Sequence, residues 1–80
     1  SRGTVPTIRA LREHADHLRQ AEVERAVRLL AKGEDPHKVI EALSHGLTNK
    51  LIHGPTRFLN DADGEGADLV QRLFNLHKDH

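Results

Sequence analysis

The chain has 80 residues, in which 12 Lys and Arg balance 12 Asp and Glu, with seven His, two Phe and no Cys, Met, Trp or Tyr. The absence of cysteine excludes a disulfide scaffold, a cysteine-ligated zinc or iron–sulfur site and a thiol nucleophile within these residues. Zero net charge argues against general nucleic-acid binding. No apolar run approaches the ~20 residues of a membrane span, and the N-terminus lacks the apolar segment of a signal peptide, so the sequence predicts no membrane partner and a cytoplasmic setting. Leu, Ile, Val and Phe supply 21 residues, enough for a folded domain but a small one. A chain of this length buries only about 60–65% of the surface its unfolded form exposes, so self-association is anticipated.

Apolar spacing predicts a first helix over about 7–32. Ile8, Leu11, Ala15 and Leu18 recur at heptad-like intervals, followed by Val23, Ala26, Val27 and Leu30. Arg9/Glu13, Arg12/Asp16 and Glu24/Arg28 stand at i,i+4 on its other face. The slip between Leu18 and Val23 breaks a strict heptad, which favours a bundle helix over a long coiled coil. Gly33 ends the segment.

Asp35-Pro36 reads as the start of a second helix, with a capping carboxylate and a proline in the first turn, where its missing N–H costs nothing. Val39, Ile40, Leu43, Leu47, Leu51 and Ile52 keep helical spacing up to Gly54-Pro55, so the helix is predicted over 36–53. Residues 56–60 are expected to add a short turn, with Phe58 and Leu59 inward. Residues 61–66, with three acidic side chains and two glycines, read as a loop. A third helix, about 67–77, carries Leu69, Val70, Leu73, Phe74 and Leu76. No segment alternates like a strand. The predicted class is all-α: one domain over 1–80, a bundle of about three helices with a long first helix, completed by homodimerisation.

Charge is distributed unevenly. Residues 1–33 hold seven basic against four acidic side chains, or +3, and residues 61–80 hold two against five, or −3. Asp61, Asp63, Glu65 and Gly66 imitate the first half of a calcium loop, but the twelfth position, which should supply a bidentate Glu, is Arg72. Gly64-x-Gly66 begins a dinucleotide fingerprint that fails at Leu69 and follows no strand. His14 and His17 share a helix face without completing a metal-ligand set, and Ser44 and His45 face different directions on one helix. His37, His77 and His80 fall near helix ends or in the tail. The sequence therefore predicts no catalytic, cofactor-binding or metal residues in this chain.

One stretch resists periodicity. Thr48-Asn49-Lys50 interrupts the apolar second helix before Leu51-Ile52 and His53-Gly54-Pro55-Thr56. The segment from Leu47 to Thr56 resembles a signature in the C-terminal domain of bacterial glutamyl-tRNA reductases, departing from it slightly at Gly54. Thr7 to Arg12 and Leu18 to Arg25 resemble that domain's entry and its long helix, so the resemblance spans essentially the whole chain. It implies a dimerisation module from an NADPH-dependent enzyme of tetrapyrrole biosynthesis. In that family a cysteine attacks the glutamyl ester of charged tRNA, and a hydride reduces the thioester to glutamate-1-semialdehyde. It also implies that these residues are part of a longer chain, that NADPH belongs to the remainder, and that tRNA is met only through the parent enzyme.

On this reading Ile8, Leu11, Leu18, Val27, Leu30, Ile40, Leu43, Leu47, Leu51 and Phe74 are candidates for the core or the homodimer contact. Thr48, Asn49, Lys50, His53 and Thr56 are expected to make polar contacts that fix the second helix. The competing reading is an RNA-contacting module, in which Arg9, Arg12, Arg19, Arg25 and Arg28 of the first helix meet phosphates.

Overall fold

The computed structural model describes residues 3–76, which form three α-helices: α1 (Thr4–Ala31), α2 (Pro36–Asp61) and α3 (Ala67–Phe74). No strand occurs among the described residues. The chain divides into two compact units, one ending at Asn49 and the other beginning at Lys50, and α2 contributes to both.

The first unit is a helical hairpin whose turn is specified locally. Gly33 takes φ +85°, a left-handed conformation that costs glycine nothing. Its N–H donates to the Leu30 carbonyl at 3.0 Å, and the Glu34 N–H reaches the Leu29 carbonyl at 3.1 Å. These two bonds form a Schellman closure that satisfies carbonyls left over at the end of α1. Asp35 then caps α2, accepting a bond on Oδ2 from the Lys38 N–H at 3.2 Å, with Pro36 at the first helical position as the sequence predicts.

Few side chains face inward in this unit. Along α1, Glu22 and Ala26 are buried, and Leu18, Val23 and Leu29 are half-buried. Along α2, Val39 is buried, and Leu43 and Gly46 are half-buried. The steps 18–22–26–29 and 39–43–46 are each the three- and four-residue spacing of a single helix face. Val27 and Leu30, candidates for the core or the homodimer contact, lie outside this face and are exposed. The narrow inward row passes through Ala26 and Leu29 instead, because adjacent residues on a helix point about 100° apart.

The second unit begins within α2 and departs from the sequence reading. The helix runs to Asp61 instead of stopping at 53, with Pro55 inside it. Proline keeps a helix-compatible φ and forfeits one backbone bond, here the one to the Leu51 carbonyl. Its clash with the preceding residue depends partly on a Cβ, which Gly54 lacks. The pair that reads as a stop therefore also permits passage, and burial favours it. Pro55, Leu59 and Ala62 continue one half-buried row at helical spacing.

The turn at 62–66 uses left-handed Asp63 (φ 50°) and Gly64 (φ 85°). Gly66, buried, lies against the Phe58 ring so closely that an added Cβ would overlap it. Val70 is the buried residue of α3, which ends at Phe74 where Asn75 turns left-handed. The expected end of this helix at His77 lies outside the described residues, as does His80.

Asp35→Ala removes the cap and is expected to cost about 1 kcal/mol. Gly33→Ala places a Cβ in a left-handed turn, at about 1–2 kcal/mol. Urea unfolding followed by far-UV circular dichroism measures both losses.

Candidate association surface

An amphipathic helix is stable when its apolar stripe is covered, and here most of the stripe is not. In the first unit Val5, Ile8 and Leu11 line the N-terminal half of α1, and Leu11 is 67% exposed. Val27 and Leu30 farther along α1, and Ile40 and Leu47 on α2, are exposed as well. Among the described residues of this unit the buried apolar ones are Ala26 and Val39. In the second unit Leu51, Ile52 and Phe58 of α2 and Leu69, Leu73, Phe74 and Leu76 in or after α3 are exposed, with Leu73 at 69%. Of the ten apolar candidates named from the sequence, Leu18 and Leu43 are half-buried and the other eight are exposed.

The polar residues of the interrupted stretch are also on the surface of this chain. Thr48 Oγ1 donates to the Ser44 carbonyl of its own helix at 3.1 Å, while Thr48, Asn49, Lys50, His53 and Thr56 are all exposed.

Several charged side chains pair along single helices. Arg19 Nε and Nη2 donate to Asp16 Oδ1 at 3.1 and 3.0 Å, so Asp16 is engaged by Arg19 where Arg12 was expected. Arg57 lies 3.8 Å from Asp61. Glu41 stands between His37 and His45, at 3.9 and 3.8 Å, all three on one exposed face of α2. Among the described residues no group of three or more His, Cys, Asp or Glu is placed to hold a metal ion. No described helix is long and apolar enough to cross a membrane. Of the five arginines in the RNA reading, Arg19 and Arg25 are held by Asp16 and Glu22, which removes two cations from any continuous positive face.

Two residues outside the sequence-derived set stand out. Glu22 is the buried charged residue among the described positions, its side chain 2% exposed, and its Oε2 accepts from Arg25 Nη2 at 2.7 Å. Gly46 faces it from α2, and a Cβ built there would overlap the Glu22 carboxylate. A glycine inside an apolar helical run is the sequence signal that could have found this pair, since it costs about 1 kcal/mol against alanine unless something needs the space.

These features describe a helical module with more apolar surface than it covers, and comparisons place it. Residues 1–76 match the family described as glutamyl-tRNAGlu reductase, dimerisation domain, and the chain belongs to that family. It is similar to a glutamyl-tRNA reductase of Aromatoleum aromaticum, 64% identical over 80 residues that make up 95% of this chain and 19% of that protein. A glutamyl-tRNA reductase of Nitrosomonas europaea is 53% identical over 81 residues, covering 96% of this chain and 20% of that protein. The chain thus spans about a fifth of the length of these curated relatives. No solved structure matches it.

Burial separates two kinds of substitution. Val39→Asp puts a carboxylate where the residue is 4% exposed and should cost about 3 kcal/mol or more, melting the hairpin. Leu11→Asp alters an exposed position and should leave helicity within about 0.5 kcal/mol of the parent in dilute solution. Circular dichroism melts of the two variants read the difference.

Proposed function

We propose that this chain joins two copies of a glutamyl-tRNA reductase through its uncovered apolar helix faces and takes no direct part in the chemistry. The observation that carries the proposal is the contrast between Ala26, Val39 and Val70, the buried apolar residues, and the long exposed stripes on all three helices. Covering a Leu or Ile side chain completely is worth about 1.5–3 kcal/mol, so a half-exposed one offers about 1 kcal/mol. The seven exposed apolar residues of the first unit, counted on both copies, offer up to about 14 kcal/mol if all are covered. That equals the order of association cost, about 4–15 kcal/mol, and the second unit's residues add to it.

The family resemblance supplies the setting. The parent enzyme would reduce glutamyl-tRNA to glutamate-1-semialdehyde with NADPH, in the cytoplasm, on the route to tetrapyrroles. A thioester mechanism needs a cysteine, and this chain has none, so both nucleophile and cofactor are assigned to the rest of the parent. Contact with tRNA is likewise assigned to the parent. The balance of charge and the internal pairing of Arg19 and Arg25 support pairing over phosphate binding.

Light scattering at micromolar concentration should return about twice the 9.0 kDa chain mass. Leu11→Asp combined with Leu47→Asp should return the single chain mass; a helical monomer for the parent chain would overturn the proposal. Mixed with charged tRNA, the chain should oxidise no NADPH.

A further inference from the structure

We propose that Glu22 is a register key for the α1–α2 hairpin: its carboxylate fits only where Gly46 leaves room, and that fit selects one alignment of the two helices. Three observations meet at this point. Glu22 is buried amid an otherwise aliphatic inward row on α1. Its Oε2 is held by Arg25, whose own side chain remains 58% exposed. Its Oε1 lies against the Cα of Gly46, in space that any other residue's Cβ would occupy.

The rest of the inward surface does little to define alignment. The other inward residues, Leu18, Val23, Ala26 and Leu29 on α1 and Val39 and Leu43 on α2, are all aliphatic, and sliding by one turn would exchange one aliphatic contact for another. The carboxylate changes that equivalence. One turn earlier on α2 stands Leu43, whose branched side chain would take up the room that a glycine leaves for the carboxylate. A slipped hairpin would strand a desolvated charge against a methyl-bearing branch, which is far more costly than a misplaced leucine. Arg25 contributes by fixing the second oxygen three residues along the same helix, so the carboxylate presents its other oxygen to α2. Glu22 and Gly46 also lie roughly equally far from the turn at 32–35, the relation an antiparallel hairpin needs. A buried polar group used this way costs stability and returns a single alignment.

The test is a change of sign. Glycine inside a helix is ordinarily improved by alanine, so space alone decides what Gly46→Ala does. In the parent chain it should lower the thermal midpoint by about 5 °C or more, because the new methyl displaces the carboxylate. In a Glu22→Ala background the same change should raise the midpoint. A rise in the parent chain, or an equal fall in both backgrounds, overturns the proposal. Midpoints of weakly folded variants are read in a trimethylamine N-oxide series, which extends the measurement to them.

A second variant separates alignment from stability. Glu22→Met keeps the side-chain volume and removes the charge. It should hold or raise the midpoint while the amide spectrum of the hairpin splits or broadens into more than one set of peaks. A single sharp set in Glu22→Met overturns the register role.

Discussion

Three amphipathic helices can be stable only if their apolar stripes are covered, and the inward rows of this chain cover little of them. The limit is geometric. A helix touching one neighbour buries one row of side chains at three- and four-residue intervals, whereas its stripe spans more than 100° of its circumference. In the first unit that row is Leu18, Glu22, Ala26 and Leu29 against Val39, Leu43 and Gly46. Val27 and Leu30, one position from the row, are turned outward, and beside it only Val23 is half-buried among the described residues of α1. The second unit repeats the pattern with Gly66 and Val70 buried while Leu69, Leu73 and Phe74 are exposed. So many large apolar side chains left in water are useful in a pairing module.

Local chemistry does the rest of the shaping. The turn between α1 and α2 is specified residue by residue: a left-handed glycine, two closing hydrogen bonds, a capping aspartate and a proline at the first helical position. None of these needs a distant partner, so the hairpin can be set before any second copy arrives. The buried side-chain polar atoms among the described residues all have hydrogen-bond partners, Glu22 included, which keeps so thin a core free of uncompensated desolvation. The chain belongs to the reductase dimerisation-domain family and spans about a fifth of the length of the relatives it matches.

The sequence by itself determined the helical class, a long first helix and the turn at Gly33 to Pro36, because caps, glycine φ and 3.6-residue spacing are properties of neighbouring residues. The resemblance in Leu47 to Thr56 likewise led to the family with no coordinates. Tertiary structure decided three things. It carried α2 through Gly54-Pro55 to Asp61, because burial of Pro55, Leu59 and Ala62 outweighs one lost backbone bond. It chose which apolar residues face inward, since the first helix offers more of them than one contact row admits. It also brought Glu22 onto Gly46, a meeting between two helices invisible to any periodicity, because a carboxylate on a helix reads as surface until the space opposite it is known.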